Sequence, residues 1–295
     1  MEPILERLKR SGVVIADGAM GTMLMQRGLK AGECPERMNL KQADILQEIA
    51  RLYVGAGAEI IQTNTFGGSP LKLASYGLDS RTEEINARAV AAARAVTGDG
   101  AYLSASCGPC GRILEPYGDT SEELVFNSFR RQLAALIAEG IDMVCIETMT
   151  DLAEAKLAMQ AARSVSSSLP VCVTMTFDVT PHGFFTIMGT SISQAVDGLA
   201  GADMIGSNCG NGIVRMIGIA GEFVKLAKVP VVIQSNAGIP VTKNGVLTYP
   251  ESPEYMAEQS RALIELGVKI IGGCCGTTPE HISALRTSAA VRTMS

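Results

Sequence analysis

Short runs of aliphatic and β-branched residues recur along this chain at intervals wide enough for a helix and a return. They are VVIA at 13–16, EIIQT at 59–63, AYLSAS at 101–106, DMVCIET at 142–148, PVCVTMT at 170–176, DMIGSN at 203–208, PVVIQS at 230–235 and KIIGG at 269–273. Near-continuous apolar character over so few residues marks strands covered on both faces, as in a parallel sheet. Amphipathic stretches fill the gaps and carry helix signals at their ends. Ser80 with Glu83, Thr120 with Glu123, and Asp151 with Glu154 have capping-box spacing, while Ser252-Pro253 and Thr278-Pro279 place a hydroxyl before a proline suited to a first helical turn. Gly140, Gly201 and Gly267 stand where helices would stop ahead of the next strand. Strand–helix units repeated without a break in composition predict an α/β fold, a single (β/α)8 TIM barrel spanning residues 1–295 as one domain; an open doubly wound sheet is the alternative.

Composition narrows the function. With 47% hydrophobic and 19% charged residues the chain can bury a large core, which excludes a disordered segment. A net charge of -5 without a basic block gives no footprint for nucleic acid or an anionic membrane. The start, MEPILERLKR, lacks a signal-peptide core and no apolar run approaches a membrane span, so the expectation is a cytoplasmic protein with a small-molecule partner. In a reducing compartment its eight cysteines are core residues, metal ligands or catalytic thiols rather than a disulfide framework.

In this architecture the loops after the strands carry the chemistry. The strand ends offer Asp17-Gly18, Thr63-Asn64-Thr65, Cys107-Gly108, Glu147-Thr148, Asp178, Asn208-Cys209, Asn236 and Cys274-Cys275. Cys209 in GSNCG and the pair in GGCCG fall after the sixth and eighth strands, with glycines that permit sharp turns. Three thiolates suit zinc and leave its fourth tetrahedral position open for substrate or water. Three other readings stay open on the residues alone: a phosphate cradle ahead of the last helix, a vicinal disulfide, and small buried packing residues. His182 and His281, the only histidines, give little basis for a Ser-His or Cys-His mechanism.

Taken together, VVIADGAMGTMLMQRG, GAGAEIIQTNTFG, IETMTDLAEA, GSNCG, SNAGIPVTKNG and IIGGCCGTTPEHI resemble, over nearly the whole chain, the homocysteine S-methyltransferase family. Within it they are most similar to the homocysteine-binding module of cobalamin-dependent methionine synthase. The resemblance implies a zinc ion held by Cys209, Cys274 and Cys275 with the sulfur of homocysteine as fourth ligand. It implies Asp17 and Glu147 at the substrate ammonium, and backbone N–H groups of Met20 and Gly21 at its carboxylate. Asn236 is expected to shield the open metal position before substrate arrives, and Asn64 and Thr65 to organise the pocket by hydrogen bonding. The implied reaction is methylation of homocysteine to methionine, with a methylated corrinoid partner protein as the first choice of donor. S-adenosylmethionine, S-methylmethionine or a betaine or sulfonium donor is the alternative, as is a thiol-binding module without turnover. Two features depart from the pattern: Gln62 stands where many members carry Glu, and Cys107 with Cys110 adds a C-x-x-C expected to be structural or incidental. A barrel predicted as complete, with its own start, suggests a standalone protein, with an excised module as the alternative.

Overall fold

The apolar runs become the strands of one parallel sheet: β1 (Val14–Ile15), β2 (Ile60–Gln62), β3 (Tyr102–Cys107), β4 (Met143–Met149), β5 (Val171–Met175), β6 (Met204–Gly212), β7 (Val231–Asn236) and β8 (Ile270–Gly273). The computed structural model describes residues 1–243 and 246–290. Strand order is β1-β8-β7-β6-β5-β4-β3-β2, every pairing parallel. The sheet closes on itself where Ala16 bridges Ile60, with Glu59 N donating to the Ile15 carbonyl at 2.7 Å and Asp17 N to the Ile60 carbonyl at 3.0 Å. A closed (β/α)8 barrel results, and the open-sheet alternative falls.

One helix sheathes each strand: α1 (Ala43–Gly55), α2 (Thr82–Thr97), α3 (Glu122–Ala138), α4 (Leu152–Val165), α5 (Ile192–Gly198), α6 (Ile213–Leu226), α7 (Pro253–Leu266) and α8 (Pro279–Ala290). Strand residues alternate between the two faces. Ile15, Ile61, Leu103, Val144, Val173, Ile205, Ile233 and Ile271 pack outward under the helices in the main core. Val14, Ala16, Ile60, Tyr102, Met143, Cys145, Cys172, Met204, Val232 and Ile270 fill the floor of the lumen, which the N-terminal helix Ile4–Arg7 plugs with Ile4. Higher in the lumen the buried residues turn polar: Ser104, Ser106, Glu147, Thr174, Asn208, Gln234 and Asn236. An apolar floor under a polar upper storey makes the carboxyl-terminal mouth the place for chemistry.

Ser252 and Asp151 cap α7 and α4 as the sequence predicts. Three local expectations are corrected. The cap of α3 is Ser121, not Thr120, and it accepts from Leu124 N at 3.3 Å. Ser80 lies inside a 3-10 turn, Asp79–Arg81, and α2 opens after it without a side-chain cap. The helix before β6 ends at Gly198 rather than at Gly201, whereas Gly267 does terminate α7 in the left-handed conformation. Two short hairpins, Asp178–Thr180 with Gly183–Phe185 and Val241–Lys243 with Val246–Thr248, rise from the loops after β5 and β7. Among the described residues, no helix is long and apolar enough to cross a membrane.

Candidate active and metal site

Breaks in the strand ladders bring the cysteines together. In β6, Asn208 pairs opposite Gln234 but the next pair is Gly212 with Asn236, so Cys209, Gly210 and Asn211 bulge out of the sheet at the mouth. Cys209 adopts φ 62°, a left-handed conformation uncommon away from glycine. Asn211 Nδ2 pins the bulge from one side by donating to the Phe177 carbonyl at 2.7 Å, and Thr176 Oγ1 pins it from the other by donating to the Asn208 carbonyl at 2.9 Å. After β8, Cys274 N donates to the Ser235 carbonyl at 2.7 Å, Ala237 N to the Cys275 carbonyl at 3.0 Å, and Thr277 Oγ1 to the Cys274 carbonyl at 2.7 Å. Gly276 follows at φ 81°, and a Cβ there would lie 2.1 Å from Tyr249 Cγ, so a side chain is excluded twice over.

The sulfurs of Cys209, Cys274 and Cys275 lie within 4.8 Å of one another, and those of Cys209 and Cys275 are 3.8 Å apart. Sulfurs about 2.3 Å from a shared tetrahedral ion are separated by about 3.8 Å, so the trio fits one zinc-sized cation. Asn208 Nδ2 approaches the Cys274 sulfur at 3.9 Å, and the Tyr249 ring packs on the Gly276 backbone beside Cys275. Hydrogen bonds from Cys209 and Cys274 hold Cys275 well below the usual thiol range. Hydrogen bonding to its two neighbours and burial push Cys274 well above it. A cation that displaced the thiol protons would find three sulfur ligands already gathered.

Two carboxyls lie at the neighbouring strand ends. Asp17 is buried and accepts from Gln62 N at 2.8 Å; burial raises its pKa to about 8, with the Glu147 charge adding to the rise. Glu147 is buried at the end of β4, and burial raises it to about 7 although Ser106 Oγ and the Gln62 side chain donate to it. Among the described residues neither acid has an Arg, Lys or His partner in an ion pair. Two buried acids without a cation form a site that favours one.

Asn208 joins the two halves. It is fully buried; its Oδ1 accepts from Thr148 N at 2.7 Å and Thr174 Oγ1 at 2.8 Å, and its Nδ2 donates to Thr148 Oγ1 at 2.7 Å and reaches Glu147 Oε2 at 3.4 Å. Thr148 sits at φ 60° beside a register shift in β4, so Asn208 staples the second left-handed residue of the site while preceding the first.

The remaining predicted residues separate into two groups. Met20 and Gly21 open the short helix Met20–Met25, where first-turn N–H groups have no intrahelical acceptor. Asn236 is buried beside the Cys275 loop with its Oδ1 unpartnered. Asn64 and Thr65 instead brace the loop after β2. Asn64 Nδ2 donates to the Pro35 carbonyl at 2.9 Å and to Asn39 Oδ1 at 2.8 Å, and Thr65 Oγ1 donates to the Ser106 carbonyl at 2.7 Å. Cys107 and Cys110 are buried; the Cys107 thiol donates to Gln132 Oε1 at 3.4 Å, and burial pushes Cys110 up to about 12, the environment of unreactive thiols. His182 is exposed in a hairpin turn, and His281 bonds Thr278 and the Glu251 carbonyl. Sequence reasoning did not assign Ser106, Asn208 or Tyr249 to the site. The inward register of β3 and β6 could have found the first two; Tyr249 carries no local signal.

Comparison with known proteins gives a consistent set. The sequence model of the homocysteine S-methyltransferase family matches residues 14–289. The chain is 32% identical over 308 residues to a methionine synthase of Mycobacterium leprae, an alignment covering 97% of this chain and 25% of that protein. It is 31% identical over 299 residues to a methionine synthase of Mycobacterium tuberculosis, covering 94% of this chain and again 25% of the relative. The chain thus spans about a quarter of the length of the curated relatives it matches. In fold it superposes on the metallated form of the homocysteine methyltransferase MmuM from Escherichia coli with a TM-score of 0.80 at 21% identity, covering 97% of this chain and 99% of the other.

Proposed function

Given that this chain belongs to the homocysteine S-methyltransferase family, we propose that it methylates the sulfur of homocysteine, activated on a zinc ion held by Cys209, Cys274 and Cys275. The observation that carries this reading is the gathering of three sulfurs to the spacing of a single ion's ligands, beside two buried acids that lack a cation. Zinc bound there supplies one thing: it takes the proton's place on the substrate sulfur and leaves a thiolate at neutral pH.

The chain's own residues do the rest. Asp17 and Glu147 receive the substrate ammonium and ionise in its field, their lost protons leaving to solvent. First-turn N–H groups of Met20 and Gly21 receive the carboxylate. Asn236, buried with its Oδ1 unpartnered on the residue before Ala237, whose N–H bonds the Cys275 carbonyl, covers the fourth metal position in this reading until the substrate sulfur takes it. Asn208 and Thr148 fix the distance between the acid and sulfur halves, so a substrate held at its amino end presents its sulfur at the trio.

The donor we favour is a methylated corrinoid carried by a protein. Exposed apolar side chains stud the loops around the mouth: Ile113 and Tyr117 after β3, Ile187 after β5, and Leu247 after β7. A ring of this kind suits a macromolecular donor better than a small one. The test is to incubate zinc-loaded protein and homocysteine with methylcobalamin, S-adenosylmethionine, S-methylmethionine or betaine and to follow methionine by mass spectrometry. Methionine from methylcobalamin, absent in Cys209→Ser, supports the reading. Tight homocysteine binding with no methionine from any donor supports the thiol-binding module instead.

A further inference from the structure

An ammonium carries three N–H donors and no acceptor, so a pocket that takes one out of water must offer it three acceptors. The proposed site supplies two acids, Asp17 just past β1 and Glu147 near the end of β4, and both are already partly engaged. Asp17 Oδ2 accepts from Gln62 N at 2.8 Å, and Glu147 accepts from Ser106 Oγ with its other oxygen 3.4 Å from Asn208 Nδ2. A third acceptor stands between them.

Around this side of the barrel the strands run β1, β2, β3, β4, and Gln62 is the last residue of β2. Ile60 belongs to the lumen floor and Ile61 to the core under the helices, so alternation turns the Gln62 side chain into the lumen between the two acids. Its Oε1 is buried and accepts no hydrogen bond. The Ser104 hydroxyl, opposite Gln62 in the β2–β3 register, is also buried and unpartnered, but a hydroxyl carries its own proton and can turn to donate. An amide oxygen can only accept, so Gln62 Oε1 is satisfied only by an incoming N–H or O–H.

We propose that Gln62 is a substrate-binding residue that sets specificity for a primary ammonium, its Oε1 accepting the third N–H while Asp17 and Glu147 accept the other two. The proposal rests on the reading of those acids as the ammonium site. It gives a chemical sense to Gln at this position in place of Glu: the amide adds an acceptor without adding a third buried negative charge beside the two acids. The substrate class selected is the primary amino thiol, and a thiol without the amino group gains nothing from Gln62.

The test is Gln62→Met, unbranched and close to Gln in size, which removes the amide oxygen and leaves the backbone N–H on Asp17 in place. Gln62→Glu is its companion, since a carboxyl offers an acceptor oxygen whether ionised or not. Isothermal titration of the zinc-loaded proteins compares homocysteine with 4-mercaptobutanoate, its analogue without the amino group. In Gln62→Met homocysteine should weaken about tenfold or more, the effect of losing a hydrogen bond to a charged group, and 4-mercaptobutanoate by no more than about twofold. Gln62→Glu should bind homocysteine more tightly than Gln62→Met does, which a packing role does not predict. Unchanged homocysteine affinity in Gln62→Met, equal weakening of both ligands, or a Gln62→Glu as weak as Gln62→Met would overturn the proposal while leaving the acids as the ammonium site. A wild-type protein that binds both ligands equally tightly would overturn both.

Discussion

Glu147→Gln removes one negative charge from the proposed ammonium site while keeping the shape of the side chain. Glu147 is buried, accepts from Ser106 Oγ, and has its second oxygen 3.4 Å from Asn208 Nδ2. In the variant the amide nitrogen donates to Ser106 Oγ and the amide oxygen stays where Asn208 Nδ2 reaches it, so little is disturbed. What is lost is a charge-assisted hydrogen bond to a buried ammonium, worth about 1.5–3 kcal/mol, or roughly 10- to 150-fold in affinity. The assay is isothermal titration of zinc-loaded protein with homocysteine and with 4-mercaptobutanoate, which has the same thiol and carboxylate but no amino group. Homocysteine should weaken by that factor and 4-mercaptobutanoate by no more than about twofold. Protons give a second reading. Burial raises the Glu147 pKa to about 7, so binding of the ammonium near neutral pH should release protons that the variant does not release. Titration in buffers of different ionisation enthalpy reads that difference. Equal weakening of both ligands would refute the reasoning and make Glu147 a support for the metal half of the site.

Other expectations follow from the same geometry. Asn208→Ala strands the Thr148 N–H and the Thr174 hydroxyl in a buried environment and should cost about 3 kcal/mol in denaturant unfolding of the metal-free protein; a loss under about 0.5 kcal/mol would contradict its role as a staple. Asp17 and Glu147 hold protons in the folded protein up to about pH 8 and 7, whereas in the unfolded chain they lose them near pH 4. The folded state therefore binds more protons between those limits, and stability of the ligand-free protein should fall as pH rises from about 4 to 8. Asp17→Asn should flatten that slope, and an unchanged slope in paired denaturation curves at pH 5 and pH 8 would contradict the assignment.

The barrel was legible because each strand is apolar toward its helix and, at the floor, apolar toward the lumen; Val14, Ile15 and Ala16 read as one run for that reason. The same runs concealed the lumen's polar storey, since Ser104 and Ser106 are single inward positions on either side of Ala105. The hairpins were missed because Asp178–Thr180 and Gly183–Phe185 are too short for a periodic signal. Residue chemistry alone left Cys274-Cys275 open to phosphate, disulfide or packing readings. The bulge that lifts Cys209 toward that pair depends on pairing between β6 and β7, which no local pattern encodes. Capping was misplaced by a residue at Thr120 because Ser121 offers the same hydroxyl one position later.

Zinc K-edge absorption spectroscopy on the loaded protein, before and after homocysteine, tests the central claim most directly. The account predicts about three sulfurs near 2.3 Å with one lighter oxygen or nitrogen neighbour, becoming four sulfurs once homocysteine binds. A sulfur count that stays at three with homocysteine bound, or a protein that retains no zinc with all three cysteines reduced, would contradict it.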